Sequence, residues 1–598
     1  MKLSDYVVRF IESLGVQHVF MVPGGGAMHL NDSLGQSTSI QWVCNLHEQA
    51  SAMAAETNAK ATGNLGVALF TTGPGGTNAI TGLAGAWLDS TPCLFISGQV
   101  KRPDLKGRTG VRQMGVQEVD IIAAVKGLTK YAVLVTDPQS IRFHMEKAVH
   151  LARTGRPGPV WIDIPLDVQA ATIDPSTLRG YRAPRKTRPP ATLAQDVAAI
   201  LELLRGAERP LILAGNGVRL AGAEAGFRAL ARRLKVPVLL TWLAIDLFAH
   251  DEDILVGKPG TVAPRGVNFA LQNADFLLVI GARLDFTITG YAPERLARGA
   301  RKVMVDIDPA EIGKLSRYLD IPVCCDARIF IDALLRATEG QSQPERAAWH
   351  ERCADWKRRY PVVQDEHRIE LGPVSTYFLG ECLSELMPEG TPIVSGSSGA
   401  GIEIFQHVLR LKKGQRLYHT TALGAMGYGL PAAIGACLGS GGRETILVDG
   451  DGGFQLNIQE LATIQRLQLP IKMFVINNDG YSSIRTSQQR WFGRQTAADS
   501  RSGLTLPEIG PVAEAYGIRT VRIADQCELR AQLAAVLALP GPVVCDVVSR
   551  PDEARMPSLS SAQRADGSLY SKPLEDLWPF LPREEFYANM IVKPLEES

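Results

Sequence analysis

A chain of 598 residues is too long for one hydrophobic core and long enough for three domains of ordinary size. Its 63 Lys and Arg stand against 62 Asp and Glu, a net charge of +1, so no field draws it to nucleic acid or to an anionic membrane. A hydrophobic fraction of 45% with 57 glycines and 36 prolines excludes the disordered and fibrous classes and describes a soluble protein rich in tight loops.

The opening stretch MKLSDYVVRFIESLGVQHVF spaces its apolar residues helically and interrupts them with Asp5, Arg9 and Glu12, which predicts an amphipathic helix and not a signal peptide. No apolar run reaches the roughly 18 to 20 residues of a membrane span. The nine cysteines are scattered, odd in number and without metal-ligand spacing, which suits a reducing cytoplasm, the expected location.

From 1 to about 170, short apolar or β-branched runs (HVFMV, QWVCNL, GVALFTT, PCLFISGQ, GPVWIDI) alternate with helical stretches, the pattern of a parallel α/β sheet. The Pro- and charge-rich segment 183–195 sets a first domain, 1–185. A second unit, 190–345, carries strand candidates at PLILAG, VPVLLT, FLLVIGA and KVMVDIDP, and a third, 365–550, carries them at PIVSG, TILVDG, IKMFVIN and PVVCDVV. The fold class is α/β: three successive doubly wound parallel-sheet domains, whose similar size suggests a triplicated architecture. The tail, 551–598, holds Tyr570, Trp578, Phe580, Phe586 and Tyr587 among charges, so it is expected to pack over another surface, the active site among the candidates.

The most specific segment is VDGDGGFQLNIQELATIQRLQLPIKMFVINNDG (448–480). A buried strand breaks into Gly450-Asp451-Gly452-Gly453, a helix follows, and a second strand delivers Asn477-Asn478, with 24 residues (453–476) between GDG and the Asn pair. Asp451 and Asn478 offer oxygen ligands to a divalent cation on a diphosphate, and the glycines let backbone N–H groups approach phosphate at a helix start. Alone, GDG reads as a plain turn. With the Asn pair at this separation it matches the thiamine diphosphate signature.

Thiamine chemistry also needs one carboxyl group to protonate the cofactor's pyrimidine ring. Glu48 in NLHEQASAMAAE follows an apolar strand and begins an Ala-rich helix, a position that a merely solvated helix-start Glu also takes. The segments PGGG (23–26), HEQA (47–50), TTGPGGTNAITGLAGAWLDSTP (71–92), ISGQV (96–100) and ALGAMGYGLPAAIGA (422–436) resemble those of acetolactate (acetohydroxyacid) synthases. That resemblance, spanning about 1 to 550, makes Glu48 the activating carboxylate and Gly480 the third metal ligand through its carbonyl. It places Pro23, Gly25, Pro74, Asn78, Gly450, Gly452, Gly453 and Tyr481 against thiamine diphosphate, and Gln117 near the intermediate. Met426 props the cofactor in its bent form and the Gly424 carbonyl accepts from its amino group. The cofactors implied are thiamine diphosphate, Mg²⁺ and FAD.

In the central domain Gly215-Asn216-Gly217 is too short for a dinucleotide fingerprint and reads as a turn by itself. VIGARLDF (279–286) and VDIDPAEIGK (305–314) resemble flavin-binding segments of the same family, with Arg283 on FAD and Asp306 or Asp308 near the ribose. The family's active site lies between the first domain of one subunit and the third of another, so a homodimer is the implied minimum and a homotetramer common. The activity implied is decarboxylation of pyruvate and transfer of the acyl carbanion to a second carbonyl compound, with pyruvate oxidase and simple decarboxylase as alternatives. A simple decarboxylase of the resembling family uses an adjacent His pair, and no two of the ten histidines here are adjacent. A non-catalytic homologue should lack the carboxylate or the metal ligands, and Glu48, Asp451 and Asn478 are present.

The chain departs from the family where the second keto acid binds. Thr287 stands where GARFDDRVTG carries its Arg, and Ser487 where the family has a Trp nine residues past the ligand Asn. Thr cannot replace a charge that holds a carboxylate bidentately. The expected acceptor is therefore an aldehyde, a ketone or a keto-sugar, with Arg485, Arg490 or Trp491 as alternative contacts.

Overall fold

The computed structural model describes residues 1–184, 189–397, 399–563 and 567–595, so the expected boundary at 185 and the last three residues lie outside it. The N-terminal helix Leu3–Ser13 buries Leu3, Val7, Val8 and Ile11, the apolar stripe that its spacing predicts. It packs beside a first sheet of β1 (His18–Met21), β2 (Gln41–Cys44), β3 (Gly66–Phe70), β4 (Cys93–Gln99), β5 (Tyr131–Leu134) and β6 (Val160–Pro165), in the order β2-β1-β3-β4-β6-β5. The second sheet holds β7 (Pro210–Ala214), β8 (Val238–Leu240), β9 (Leu255–Gly257), β10 (Phe276–Ile280), β11 (Arg301–Asp306) and β12 (Ile321–Cys324), in the order β12-β11-β10-β7-β8-β9. The third holds β13 (Pro392–Ser395), β14 (Arg416–Tyr418), β15 (Thr445–Gly450), β16 (Ile471–Asn477), β17 (Arg519–Ile523) and β18 (Val543–Val548), in the order β14-β13-β15-β16-β18-β17.

All three sheets are parallel, and their inner strands are buried on both faces by helices, as crossover connections require. The expected triplication is in fact a duplication plus one: the first and third sheets share a strand order, and the central sheet follows the dinucleotide-binding order. Each order reverses at one point (β1/β3, β7/β10, β13/β15), and the loops leaving the carboxyl ends of those strands open a crevice.

The first and third units meet through small residues. The helix Glu48–Thr62 packs on the helix Gly429–Gly439 so closely that a Cβ on Gly435 would lie 2.2 Å from the Ala54 carbonyl oxygen. Thr57 Oγ1 and the Tyr428 hydroxyl share a buried hydrogen bond of 3.0 Å across this seam. The segment after 550 lies on the central unit: Leu559 donates to Thr261, Asn268 donates to Leu574, and Trp356 Nε1 donates to Asn589. No helix of the described residues is long and apolar enough to cross a membrane.

Candidate active site

At the crevice of the first sheet the PGGG turn after β1 and the TTGPGG turn after β3 touch. A Cβ on Gly26 would fall 1.8 Å from Thr72 Oγ1, and Gly26 N–H donates to Thr71 Oγ1. Gly25 has open space around it, so its glycine answers no steric demand from this chain. Pro74 opens the short helix Pro74–Asn78 as its first residue, where a missing N–H costs nothing. Asn78, at its end, donates to Glu48 Oε2 at 3.0 Å. Glu48 is half-buried as the first residue of its helix, capped by His47, whose Nδ1 accepts from Gln49 N–H. Gln117 closes the same loop cluster: its carbonyl would sit 2.3 Å from a Cβ on Gly73, which has φ +66°. Six of the sequence candidates (Pro23, Gly25, Glu48, Pro74, Asn78, Gln117) thus line the loops of one crevice.

At the third sheet, β15 and β16 are neighbours in parallel register, with Gly450 opposite Ile476, so the GDG turn and the Asn pair emerge side by side. Asp451 is buried at the start of the helix Asp451–Gln455. Its Oδ2 accepts N–H from Asn478 (3.1 Å) and Gly480 (2.8 Å), and its Oδ1 accepts from Gly452 (2.7 Å). Burial pushes the Asp451 carboxyl up to about 6, against the downward pull of these three N–H groups. Its carboxylate, the Asn478 carboxamide and the Gly480 carbonyl make an all-oxygen donor set that can complete an octahedral cation together with phosphate oxygens. Gly480 has φ +98°, a backbone state that needs glycine. Tyr481 lies against Gly452, where a Cβ would come within 2.2 Å of its ring.

One residue here, Asp449, escapes the sequence analysis, and another, Arg485, takes a different role from the one expected. Asp449 is buried with Oδ1 accepting from Gly450 N–H and Oδ2 unpartnered, and burial pushes its carboxyl up to about 7. A Cβ at Gly396 or Gly429 would stand 2.0 or 2.1 Å from its oxygens, so both glycines exist to admit it. Arg485, expected as an acceptor contact, is instead buried and turned inward. It donates to the carbonyls of Asn478 (3.1 Å) and Asp479 (2.9 Å) and pairs with Asp552 (3.1 Å). Ser487, Arg490 and Trp491 on the same helix are exposed.

Above the central sheet a cavity of about 620 Å³ opens at the β7/β10 reversal. The Gly215-Asn216-Gly217 and Gly281 turns meet there: a Cβ on Gly215 would lie 2.2 Å from the Gly281 carbonyl oxygen. Gly217, Arg283 and Asp306 line the cavity. Asp306 is buried and accepts from Asp308 N–H, and burial raises its carboxyl above the usual range. Asp308 caps the helix Pro309–Gly313 and pairs with Arg156, itself a lining residue (3.0 Å). The cavity runs on to Gln406, Thr421 and Gly424 of the third unit, bringing Gly424 to the same space; Met426 is half-buried beyond it.

Three arginines line this cavity, and each faces a carboxylate: Arg156 with Glu311 (2.8 Å) and Asp308, Arg283 with Asp285 (3.6 Å), Arg555 with Glu403. Thr287 lines it too, with its N–H and hydroxyl both directed to Asp285 Oδ1. Arg555 comes from the segment after β18, so the tail reaches the cavity wall. Arg156, Glu403 and Arg555 come from three distant stretches of chain, and no local pattern announces that they meet. Within one chain, the described residues show no hydrogen bond from Glu48 to Asp451 or Met426.

Comparison with known proteins accounts for the arrangement. Residues 1–124 match the thiamine pyrophosphate enzyme N-terminal TPP binding domain, 197–334 the central domain, and 399–547 the C-terminal TPP binding domain. The chain is 33% identical over 580 residues to acetolactate synthase 1, chloroplastic, of Zea mays, covering 94% of this chain and 87% of that protein. It is 34% identical over 556 residues to the acetolactate synthase large subunit of Parasynechococcus marenigrum (90% and 86% covered), and 32% identical over 569 residues to a probable large subunit of Methanocaldococcus jannaschii (93% of each). The first and third units match the family's two TPP binding domains, and the chain belongs to the acetolactate synthase family of thiamine pyrophosphate enzymes, as a carboligase of that type.

Proposed function

We propose that this carboligase decarboxylates pyruvate and joins the two-carbon acyl unit to an uncharged aldehyde, ketone or keto-sugar. The carboxylate leaves as CO₂, the electron pair of the broken bond forms the new C–C bond to the acceptor carbonyl, and the acceptor oxygen takes one proton. No net oxidation occurs. The observation that carries the acceptor assignment is the charge balance of the central cavity: Thr287 supplies no cation, and every lining arginine already faces a carboxylate. An incoming carboxylate would meet five acids (Asp89, Asp285, Asp306, Asp326, Glu403) and no free partner.

When bound, thiamine diphosphate would supply the nucleophilic carbon and the electron sink that decarboxylation of a 2-keto acid requires. Glu48, held by Asn78, keeps a proton at the pyrimidine ring nitrogen. Asp451, Asn478 and the Gly480 carbonyl would hold Mg²⁺ against the diphosphate, and Arg485 fixes the Asn478–Asp479 main chain from behind. Pro23, Gly25, Pro74, Gly424, Met426, Gly450, Gly452, Gly453 and Tyr481 shape the cofactor's bed, and Gln117 faces the reacting carbons. FAD would lie in the central cavity, where main-chain N–H groups of the Gly215–Gly217 turn would meet its diphosphate, Asp306 or Asp308 a ribose hydroxyl, and Arg283 lines the same space while paired with Asp285. No step of the carboligation draws on flavin redox chemistry.

Glu48 and Asp451 belong to different sheets, so the reading includes a homodimer that pairs the first unit of one copy with the third of the other. Exposed Met28, Trp42, Leu46 and Leu456 are apolar surface for such a contact. Product analysis of the purified enzyme with thiamine diphosphate, Mg²⁺ and pyruvate, alone and with aldehydes, ketones and 2-ketobutyrate, tests the assignment. Cross-products with aldehydes or ketones are expected. Acetolactate or the 2-ketobutyrate adduct dominating in every mixture would overturn the acceptor reading.

A further inference from the structure

Beside Thr287, two aromatic rings stand at the mouth of the central cavity. Phe286 and Tyr291 both line it, stack at 5.5 Å between ring centroids with planes 13° apart, and are 61% and 63% exposed. Large rings left so open normally find cover, and a stacked pair presents one broad flat apolar face.

The backbone holds the pair in place against its own preference. The single helical turn Phe286–Thr289 is capped by Asp285 and ends on Gly290 at φ +62°, and Tyr291 follows at φ +63°, in the left-handed region that an aromatic residue rarely enters. Tyr291 N–H closes the turn on the Phe286 carbonyl at 3.2 Å, which swings the tyrosine ring back over the phenylalanine. Gly290 is pressed by the tail, where a Cβ would lie 2.9 Å from Leu574 Cγ, so the docked C-terminal segment locks the turn. Backbone strain of this kind, fixed by its surroundings at a cavity mouth, is characteristic of ligand sites.

We infer that Phe286 and Tyr291 form a stacking platform selecting an acceptor whose carbonyl is carried on, or directly beside, a six-membered ring. The inference rests on the carboligase reading above and names its substrate class. The flat C–H face of a pyranose and the face of an aromatic ring share the chemistry that such a platform recognises, and Thr287 next to it adds a small neutral contact. A small linear keto acid gains nothing from two stacked rings.

The test compares kcat/KM for ring-bearing and linear acceptors in the full-length holoenzyme with pyruvate as donor. Benzaldehyde is paired with hexanal, and a methyl hexopyranosid-4-ulose with butan-2-one, so each ring is judged against a linear carbonyl of its own kind. Wild type is expected to favour the ring in at least one pair, and that arm identifies aromatic or sugar. Phe286→Ala with Tyr291→Ala should cut that preference about tenfold, carried by KM for the acceptor. Phe286→Tyr with Tyr291→Phe, which keeps both rings, should retain it. No ring preference in wild type, or one that survives the double alanine variant, overturns the inference while cross-products still form and the carboligase reading stands. If pyruvate releases no CO₂ at all, that underlying reading fails, and the platform falls with it.

Discussion

The crevice of the third sheet and the cavity of the central sheet are built on one plan, with loops at the carboxyl ends of parallel strands around a reversal of strand order, yet they hold their functional groups differently. At the third sheet the main chain does the holding: Asp451 takes three backbone N–H groups, and Arg485 grips the carbonyls of Asn478 and Asp479 behind the Asn-pair loop. At the central cavity mouth, side chains stand in solvent on a strained turn, and the Thr287 side chain is held by nearby Asp285. The difference teaches that the chemistry is written into backbone geometry, where few substitutions are tolerated, whereas acceptor choice is written into exchangeable side chains that leave the sheets undisturbed.

Substitutions on the two sides should therefore differ in kind as well as in size. Glu48→Gln keeps the hydrogen bond to Asn78 but cannot serve the proton, so steady-state turnover should fall about 100-fold or more with cofactor affinity little changed, as titration of tryptophan fluorescence can check. Asp451→Ala removes the central group of the metal loop. Apparent affinity for thiamine diphosphate, followed by activity at graded Mg²⁺, should drop at least about 100-fold, and if it does not, the backbone-held half is wrongly assigned. On the exchangeable side, Thr287→Arg should raise kcat/KM for 2-ketobutyrate as acceptor by about tenfold relative to a ketone, in competition assays read by product ratio.

The smallest effect lies in the scaffold beneath the first crevice. Asp163 on β6 is buried, accepts from Ser97 Oγ (2.6 Å) and Gln99 Nε2 (2.9 Å), and Gln99 also ties down the Val119 carbonyl beside the Gln117 loop. Burial lifts the Asp163 carboxyl from 3.8 to about 7. The folded state therefore holds the proton more tightly than the unfolded chain, and the group's contribution is full below about pH 4 and lost as pH rises through 7. Asp163→Asn abolishes that titration, so its melting temperature relative to wild type should be a few degrees higher at pH 8 than at pH 5, at about 2–4 °C per kcal/mol. An unchanged difference across that range would show that the scaffold carboxyl is ionised in the folded protein.

What the sequence conveys follows the same physics. All twelve inner strands are legible as apolar runs, because burial on both faces demands it. Of the six edge strands only β2 is anticipated. The runs at Tyr131–Leu134, Leu255–Gly257, Ile321–Cys324, Arg416–Tyr418 and Arg519–Ile523 are short or partly exposed, and they carry polar residues such as Arg519 and Arg522 that hide the pattern. The GDG and Asn-pair segment is legible because turn geometry and metal chemistry both constrain it. Arg485 is misread because a charged residue is assumed to face solvent; on its helix it shares the inward face with Ser482, and its charge is met by three carbonyls (Asn478, Asp479, Pro551) and the carboxylates of Asp552 and Asp499. The Phe286 and Tyr291 platform depends on a left-handed backbone at Tyr291, which no residue preference foretells.

The seam between the helices Glu48–Thr62 and Gly429–Gly439 joins two units of identical strand order that lie hundreds of residues apart in one chain. Their association needs no bimolecular encounter: the central unit acts as a tether, and the concentration each experiences of the other is fixed by that tether's span, not by how much protein a cell makes. Dilution can separate copies of this chain from one another, and with them a cofactor site shared between copies, but it leaves the first and third units of each copy packed along this seam.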